Sequence, residues 1–506
     1  MRRTTGECLK TKKFYVTTPI YYVNDVPSVG SAYTTIAADI IARFHRLKGD
    51  DVFFLTGLDE NSDKTVQAAK KLGVSDLQNY VDGMAVKWKK TWKILDISND
   101  DFIRTTEERH VKVVNEFFTK VYEKGDVYKG KYEGLYCEGC EAFVTESDLV
   151  DGNCPLHKKP PKKIVEENYF FRLSKYENEL REYIEKHPEF IQPESRKHEM
   201  LNFINSGLKD ISISRPHKEW GIPLPIDEKQ KFWVWFDALV NYISASPRRW
   251  PADVHLIAKD ILKFHTVIWG GMLLSAGYKF PKKVFAHGFL TVDGQKMSKS
   301  LGNAIDPVSL SEKYSVDALR YYLFREISFG EDGDFSEKTL KTRFNNELAD
   351  AYGNFAYRTL AFVKMRFDGV VPEPAHYDEK DTEFKKKIEE IAEKVGGKLE
   401  ELKLNEALEH AMQFADECNK YFNDRAPWHL LKDGGAGAAN ARTVLFLSTK
   451  AVFALSLVLY PFIPATSEKA FKQLGMKSAV KWGDYSALKP GVKLGKIAPL
   501  LKKIEE

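Results

Sequence analysis

The sequence lacks several features that would place it in a class at once. Only five of its 506 residues are cysteine, too few for a disulfide framework in a chain of this length. The net charge is +4, from 76 basic and 72 acidic residues, which by itself does not indicate a nucleic-acid partner. Residues 1–13 are basic without an apolar core, so they are read as a tail and not as a signal peptide. The most apolar run, residues 443–464, contains Lys450 and ends near Pro461, which favours a buried helix over a membrane span.

Two common nucleotide-binding fingerprints are also missing. No GxGxxG opens the first predicted helix, which excludes the dinucleotide-binding type. Lys64 and Thr65 follow Gly57, but Ser62 occupies the position at which a P-loop needs its second glycine. The order of elements nevertheless predicts half of a parallel nucleotide-binding sheet, whose ligands bind at the carboxyl ends of the strands. These elements are a strand at 14–16, an irregular loop at 17–27, a helix at 30–48 and a strand at 52–55.

Strand and helix patterns recur further along the chain. Strands are predicted at 231–236, 254–257 and 284–285, with a helix at 261–276 between the last two. A helix at 105–124 is predicted to begin with a capping box formed by Thr105 and Glu108. From residue 346 the apolar spacing is helical, with helices at 348–367, 382–402, 405–422 and 440–459 and a flexible link at 433–439.

Three cysteines and one histidine form two closely spaced pairs. Two residues separate Cys137 from Cys140, and two separate Cys154 from His157. Thiolate and imidazole donors in such pairs are what a tetrahedral zinc site needs. Because the protein fills all four positions, we expect one structural Zn²⁺ per chain that folds the surrounding domain. Clustered thiols also indicate a reducing compartment, and we predict a cytoplasmic location.

The patterns together predict an α/β fold. A split Rossmann-type parallel sheet carries an inserted zinc-knuckle domain and is followed by a C-terminal α-helical bundle. The predicted divisions are a basic tail (1–13), the first half of the catalytic sheet (14–120), the inserted connective domain (121–229), the second half of the sheet (230–290), a loop and stem-contact region (291–345) and the helical domain (346–506).

A lysine-rich pentapeptide, Lys296-Met297-Ser298-Lys299-Ser300, lies past mid-chain between turn-forming residues. Two lysines separated by small residues suit a mobile loop that closes on a polyphosphate. A lone KxxK is more often a solvated basic turn, but the five residues together are far rarer. They match KMSKS, and the chain in this respect resembles the class I aminoacyl-tRNA synthetases, of which KMSKS is the second signature.

The sequence as a whole resembles the methionyl-tRNA synthetases that have one zinc knuckle. In that family L-methionine and ATP with Mg²⁺ form methionyl-adenylate, and the methionyl group then moves to the 3′ adenosine of tRNA(Met). The stretches that carry the resemblance are 21–24, 53–57, the cysteine pairs, 234–238, 259–262, KMSKS and 426–428.

The resemblance implies a pocket for the methionine side chain, whose thioether suits an apolar, polarizable surrounding. Taken singly, the aromatic residues at these positions would be ordinary core. The ammonium group of methionine would bind Asp59, for which the alternative from the residues alone is a helix N-cap. The implied methionine-binding residues are Ile20, Tyr22, Asp59, Trp235, Ala238, Leu239, Tyr242, Ile261, Phe264, His265 and Trp269.

The resemblance also implies the residues that act on ATP. Lys296 and above all Lys299 would stabilise the charge that develops on the transferring phosphoryl group. Asp260 would hold the ribose. The implied ATP-binding residues are Gly30, Ala258, Asp260 and Lys299.

Recognition of the CAU anticodon falls, by the resemblance, on three residues of the helical domain. Asn354 and Arg358 are four residues apart on one predicted helix face, and Trp428 follows Pro427 at a helix entry. Such side chains supply amide and guanidinium donors and a stacking surface for unpaired bases. The alternative from the residues alone is a pair of helix-surface residues and a core tryptophan.

The chain departs from the family at the first class I signature, which normally reads His-x-Gly-His. Here it is Ser28-Val29-Gly30-Ser31, so Ser28 and Ser31 stand in for both histidines. Asn61 and Ser62 likewise replace the histidine and glycine of the family's Asp-Glu-His-Gly. Loss of one well-aimed donor can lower a rate by about 10²–10³.

Two functions therefore remain open at this point. The first is a methionine–tRNA ligase, slowed or not by its altered signature, and the second is a catalytically impaired paralogue that retains tRNA or methionine binding. A class I synthetase for leucine, isoleucine or valine is disfavoured because these usually carry a large editing insertion, and one for cysteine is also less favoured. The chain ends soon after the helical region, so we expect a monomer that binds tRNA, ATP and L-methionine and no membrane.

Overall fold

A six-stranded parallel sheet is central to the computed structural model, which describes residues 11–505 apart from 141, 145, 156–157, 217, 293–294, 297–304, 433–434 and 477–479. The strands are β1 (Lys13–Tyr22), β2 (Asp51–Asp59), β3 (Asp101–Arg104), β4 (Val127–Cys137), β5 (Ala142–Val144), β6 (Lys162–Phe171), β7 (Ile191–Gln192), β8 (Ile211–Ser212), β9 (Ser214–Pro216), β10 (Pro223–Leu224), β11 (Asp227–Phe232), β12 (Val254–Ala258), β13 (Val284–His287), β14 (Leu290–Val292), β15 (Gln295–Lys296) and β16 (Gly333–Asp334). The α-helices are α1 (Val29–Lys48), α2 (Asp63–Lys71), α3 (Leu77–Ile94), α4 (Glu108–Glu123), α5 (Glu177–Lys186), α6 (Glu194–Asn205), α7 (Val234–Ser244), α8 (Trp269–Ala276), α9 (Pro307–Tyr314), α10 (Val316–Glu326), α11 (Glu337–Arg343), α12 (Phe355–Arg366), α13 (Glu379–Glu400), α14 (Leu404–Arg425), α15 (Pro427–Leu430), α16 (Gly435–Leu459) and α17 (Pro464–Gln473). Phe264–Ile268 and Phe344–Asn354 are π-helical, and Glu146–Asp148, Leu173–Tyr176, Lys259–Ile261 and Tyr485–Ala487 are 3₁₀ turns.

The strand order of the main sheet is β3-β2-β1-β12-β13-β7, and all neighbouring pairs run parallel. β1 and β12 lie side by side, with Val16 opposite Val254, although most of the inserted region separates them in the chain. In open α/β sheets ligands bind where the strand order reverses, outside the carboxyl ends of such neighbours. The predicted split parallel sheet is therefore confirmed, and its cleft opens beyond Tyr22 and Ala258.

β1 is longer than the sequence indicates. The predicted loop at 17–27 is wrong in its first part, because β1 continues to Tyr22. Its register against β2 shifts between Thr17 and Ile20, at the position of Pro19. Proline has no N–H to give to a neighbouring strand, so the pairing breaks there and resumes one step further on. The break lets Ile20 and Tyr22 end the strand at the cleft.

Three further local predictions are also wrong. The apolar run 234–236 is helical and begins α7, since the preceding strand β11 ends at Phe232. No capping box forms at Thr105, because α4 starts at Glu108 and the Thr105 hydroxyl accepts the Glu60 N–H instead. The predicted link 433–439 is helical from Gly435 onward. Alanine is the strongest helix former, and three of the five residues from 435 to 439, all of which the structure places in α16, are alanine.

The inserted region forms an antiparallel sheet in the order β5-β4-β6-β8. β4 and β6 are a long hairpin, paired from Val127 and Phe171 to Tyr136 and Lys162. Cys137 is the last residue of β4, at the end of the hairpin far from the Val127–Phe171 pair. A second small sheet, β10-β11-β9, leads the chain back to α7.

Two apolar cores lie on the two faces of the main sheet. One face is covered by α4, α7 and α8 together with α5 and α6 of the inserted region. The other is covered by α1 and α3, and this core continues without a break into the helical bundle of α12, α13, α14 and α16. Phe44 of α1 packs edge-on against Trp482, whose backbone N–H donates to Leu47 O at 2.9 Å. The catalytic layer and the bundle therefore share one core.

α16 occupies the middle of that bundle. By length and composition α16 could cross a membrane, but 89% of its most apolar 18-residue stretch is buried inside the fold. The prediction of a buried helix over 443–464 agrees with this position. Its apolar surface is already covered by α13, α14 and α17.

A buried ion pair joins α1 to α10 and to the bundle. Arg320 is 0% exposed, and its guanidinium donates to Asp39 Oδ2 at 2.6 Å and to the backbone oxygens of Pro461 and Phe462. Asp39 also accepts from Arg43 at 2.7 Å. Burial by itself would raise the pKa of Asp39, but the charges of Arg320 and Arg43 outweigh it and bring the pKa to about 2.

We expect Asp39→Asn to lower the free energy of unfolding by about 3–5 kcal/mol at neutral pH, because Arg320 keeps its buried charge without the carboxylate. The measurement is the urea midpoint of wild type and variant. A group with a lowered pKa stabilises the fold above its ordinary pKa and loses that contribution as pH falls. The difference in free energy of unfolding between wild type and Asp39→Asn should therefore become smaller as pH falls from 3.8 to about 2.

The control is Glu182→Gln, which removes an exposed pair with Lys186 on α5 and should leave the midpoint within error. Equal midpoints for wild type and Asp39→Asn at neutral pH would contradict a structural role for the pair.

Candidate functional site

A cavity of about 380 Å³ opens at the carboxyl ends of β1, β2 and β12. It contains every predicted methionine-binding residue except Trp269, and it also contains Gly30, Ser31, Ala258 and Asp260 of the predicted nucleotide site. Trp269 does not line the cavity and is fully buried, stacked on Phe117 with ring centroids 5.5 Å apart. The lining residues are Pro19, Ile20, Tyr21, Tyr22, Gly30, Ser31, Thr34, Asp59, Lys64, Gly139, Cys140, Trp235, Ala238, Leu239, Asn241, Tyr242, Ala258, Asp260, Ile261, Phe264 and His265.

One face of α7 and one π-helical turn form the apolar wall of the cavity. Trp235, Ala238, Leu239 and Tyr242 are spaced by three and four residues on α7 and so share a face. The Trp235 ring stacks on Phe264 at 4.0 Å with an interplanar angle of 4°. Phe264 belongs to the π-helical segment Phe264–Ile268, a distortion that is frequent at functional sites. The wall is therefore wide, flat and polarizable.

The polar end of the cavity is a hydrogen-bonded pair, Tyr242 and His265. His265 Nδ1 lies 2.9 Å from the Ile261 carbonyl, which only accepts, so Nδ1 carries the proton. Its Nε2 then accepts from the Tyr242 hydroxyl at 2.7 Å. Burial lowers the pKa of His265 to about 4, so the imidazole is neutral at pH 7. Both residues line the cavity, so this end of it carries a polar pair without net charge.

Asp59 brings a negative charge to the end of β2. It is 4% exposed and lines the cavity opposite the aromatic wall. The helix that follows is capped by Ser62, whose hydroxyl accepts the Lys64 N–H at 3.0 Å, so Asp59 is not the N-cap of α2. Asn61, which replaces the family's histidine, donates to Asp237 Oδ2 at 2.8 Å. Asn61 thus supplies a donor to α7.

The altered first signature forms the start of α1. Ser31 Oγ accepts the Ser28 N–H at 3.0 Å and donates to the Ser28 carbonyl at 2.9 Å. Gly30 and Ser31 line the cavity, whereas Ser28 does not. The Ser31 hydroxyl is thus occupied by its own turn, and this stretch adds no charged side chain to the site.

Part of the second signature lies outside the described residues. Lys296 ends the short strand β15, and Met297, Ser298, Lys299 and Ser300 fall within 297–304, of which nothing is described. The strand that leads to it, β14, pairs with β16. Lys259 at the end of β12 bonds both oxygens of Asp332 just before β16, each at 2.7 Å. The region before the loop is therefore fastened to the edge of the cavity.

Three of the four predicted metal ligands come together. The Sγ atoms of Cys137, Cys140 and Cys154 lie within 4.8 Å of one another, and Cys140 and Cys154 are 3.7 Å apart. Burial and the two neighbouring thiols raise the pKa of Cys140, so three thiolates at this distance need a cation between them. The fourth, His157, lies outside the described residues. Cys140 and the adjacent Gly139 also line the cavity, so the knuckle forms part of its roof.

The predicted anticodon residues lie together on the bundle. The Arg358 guanidinium is 5.2 Å from the ring centroid of Phe422 and 6.0 Å from that of Trp428, and it donates to Asn423 at 2.9 Å. Asn354 is exposed at the end of the π-helical segment, one turn before Arg358. Trp428 is half-buried, so part of its ring remains open to a ligand.

Sequence reasoning missed several cavity residues, among them Lys64, Asn241 and Cys140. Asn241 lies three residues after Ala238, so helical spacing on α7 could have found it. Lys64 has the type of a P-loop lysine, but Ser62 excludes that motif, and no other pattern indicates a role for it. Cys140 could not have been found, because only the fold brings the inserted hairpin over the main sheet.

The comparisons with known proteins cover almost the whole chain. The family profile described as "tRNA synthetases class I (M)" matches residues 14–160 and 144–360. A second profile, "Anticodon-binding domain of tRNA ligase", matches residues 381–504. The methionine–tRNA ligase of Thermotoga maritima is 48% identical over 97% of this chain and 80% of its own length. The chloroplastic and mitochondrial enzyme of Arabidopsis thaliana is 41% identical over 97% of this chain and 83% of its own length.

The chain also resembles solved structures of methionyl-tRNA synthetases over almost its whole length. The chain superposes on the Mycobacterium tuberculosis methionyl-tRNA synthetase in complex with methionyl-adenylate with a TM-score of 0.93 and 38% identity, over 97% of this chain and 99% of that one. The apo form of the same mycobacterial enzyme gives a TM-score of 0.86 at 35% identity, over 99% of this chain and 100% of that one.

We expect the chain to bind one Co²⁺ with the absorption bands of tetrahedral thiolate ligation, and Cys140→Ser to weaken this binding by about 10-fold or more. The measurement is a spectrophotometric titration of the metal-free protein. Cys418→Ser is the matched control, since Cys418 is buried in α14, far from the trio in the sequence. An unchanged titration for Cys140→Ser would contradict the site.

Proposed function

The chain belongs to the class I methionyl-tRNA synthetases, and from that premise we propose which of its residues perform each step. The reaction is the activation of L-methionine with ATP and its transfer to tRNA. The relatives are named as ligases, so the alternative of an impaired binding protein gains no support from them. The observation that carries the assignment of residues is the single cavity in which the apolar wall, Asp59 and the nucleotide edge of the sheet meet.

We propose that the methionine side chain lies against Trp235 and Phe264 with its sulfur toward Tyr242. The stacked rings supply dispersion contacts to a polarizable thioether. The neutral Tyr242–His265 pair offers polar contact without a charge that the thioether cannot balance. Ala238 leaves room for the terminal methyl group, and Trp269 supports the wall from behind. The amino-acid ammonium is paired with Asp59.

ATP is proposed to lie across the carboxyl ends of β1 and β12. Asp260 lies two residues after the end of β12 and is proposed to hold the ribose. The backbone at Gly30, in the first turn of α1, is proposed to face the phosphates. Ala258 at the strand end also lines the cavity and is proposed to contact the nucleotide. Mg²⁺ accompanies the phosphates as the ATP complex. Lys296 and Lys299 are proposed to approach the transferring phosphoryl group from the signature loop.

Zn²⁺ is the proposed metal of the cysteine trio, with His157 as fourth ligand. Three thiolates and one imidazole are a set that zinc prefers and that leaves no open position for catalysis. When bound, the metal supplies cross-linking of the turn after β4 to the turn at Cys154. We propose a structural role, a monomeric protein and a cytoplasmic location.

The bundle is proposed to read the anticodon through Asn354, Arg358 and Trp428. Arg358 is held between two rings and Asn423, so its planar guanidinium is oriented before any RNA binds. Such a group stacks on bases and donates to their edges. The helical domain that carries these residues is proposed to begin near 346, with the π-helical segment.

We expect Lys299→Ala to lower the rate of methionine-dependent ATP–pyrophosphate exchange by about 10²–10³ while the KM for methionine changes little. A donor used only as charge develops on the phosphoryl group affects kcat, whereas a ground-state contact affects KM. Steady-state exchange assays give both constants. A wild-type protein without methionine-dependent exchange would contradict the ligase assignment, and a loss confined to KM would contradict the role of Lys299.

We expect Trp428→Ala to raise the KM for tRNA in aminoacylation by about 5- to 150-fold, the equivalent of one lost stacking contact. Pyrophosphate exchange should be retained, because it needs no tRNA. Met365→Ala is the matched control, since Met365 lies on α12 two turns beyond Arg358 and is 64% exposed. Equal effects of the two variants on tRNA would contradict the assignment.

A further inference from the structure

The cavity has few charges, and they differ in what they can bind. Asp59 and Asp260 are negative and are proposed for an ammonium and a ribose. His265 is neutral at pH 7, because burial lowers its pKa to about 4. In the part of the lining that the structure describes, Lys64 is the cationic side chain.

Among the residues that the structure describes, Lys64 has a ring as its neighbour and no counter-ion. Its ammonium lies 4.6 Å from the ring centroid of Tyr22, and no carboxylate among the described residues lies within ion-pair distance of it. The neighbouring lysines differ, since Lys70 pairs with Glu219 and Lys218 lies 3.7 Å from Asp63. Lys64 is half-buried, so it remains partly screened from water. A cation–π contact orients the ammonium but does not neutralise it.

The bound reaction intermediate presents a matching charge. Methionyl-adenylate contains an ammonium and one phosphate, and the phosphate stays between amino acid and nucleoside whatever happens to the signature loop. In this chain the two histidines of the first signature are serines, Ser31 is bonded to its own turn and Ser28 does not line the cavity. In the described lining, the positive charge available to this phosphate therefore comes from Lys64 on α2, and α1 contributes no charged side chain.

We propose that Lys64 binds the phosphate of methionyl-adenylate and replaces, from α2, part of the anion binding that the serine substitutions remove from α1. The inference rests on the proposed function, because it needs the adenylate to lie in this cavity. It adds a binding residue outside both signatures. Tyr22 acts with it as the surface on which the lysine chain lies.

The test is calorimetric binding of two ligands to wild type and Lys64→Met. L-Methionine has a carboxylate and no phosphate, whereas methioninyl adenylate has a phosphate and no carboxylate. We expect Lys64→Met to raise the dissociation constant of methioninyl adenylate by about 10- to 100-fold, as for a lost charge-assisted hydrogen bond. The dissociation constant of L-methionine should rise by less than about threefold. Lys64→Arg should restore most of the affinity for the adenylate analogue.

Lys70→Met is the control, because Lys70 lies on the same helix, does not line the cavity and has a side chain that is 63% exposed. Circular dichroism and thermal melts check that each variant is folded. In the double variant Lys64→Met, Ser28→His, the histidine should raise the exchange rate by a larger factor than it does in the wild-type background.

Each other outcome overturns the proposal. A loss confined to L-methionine would assign Lys64 to the carboxylate, and equal losses for both ligands would assign it to the shape of the amino-acid pocket. A loss no larger than that of Lys70→Met would leave Lys64 without a role. If wild type binds neither ligand, the proposed function fails together with the inference, which separates that failure from the other three.

Discussion

The buried pair of Asp39 and Arg320 is the interaction on which the arrangement of the molecule depends. Asp39 lies in the middle of α1, whose N-terminus carries the first signature, and Arg320 lies in α10, which follows the second. The same guanidinium binds the backbone oxygens where α16 turns into α17. A buried ion pair adds little net stability compared with apolar residues, but it tolerates few alternative geometries. It fixes the positions of α1, which carries the first signature, and of α10 relative to the bundle.

This ion pair holds the α1 side of the cavity. α1 is held by the pair and by the core it shares with α13 and the segment around Trp482. The opposite wall, made by α7 and the π-helical turn, belongs to the second core. The cavity lies where the two cores meet across the sheet. A ligand in it therefore contacts both layers, and its binding depends on how they are held together.

The sequence predicted the layers of the fold better than the boundaries of the elements. The parallel sheet followed from apolar strands alternating with an amphipathic helix, a pattern set by burial on each face. The error at β1 arose because Pro19 reads as a loop, whereas the strand passes it by breaking one register step. The error at 234–236 arose because an aromatic run has strand propensity, and a short run that is mostly buried has no periodicity that separates a strand from a helix.

The residues of the cavity could likewise be predicted only in part from the sequence. Spacing on α7 and the resemblance to a family predicted the apolar wall, because those residues are close in the chain. Lys64 and Cys140 could not be placed there without the fold, since they arrive from α2 and from the tip of the inserted hairpin. Their roles depend on distances between elements, which periodicity does not encode.

The two family profiles divide the chain near residue 370, but the apolar core does not respect that division. Side chains of α1 pack directly with α13 and with the segment at Trp482, so each part covers apolar surface of the other. A catalytic half produced alone would present to water the face on which the bundle normally sits. The two profiles therefore mark segments of sequence that do not each have a hydrophobic core of their own.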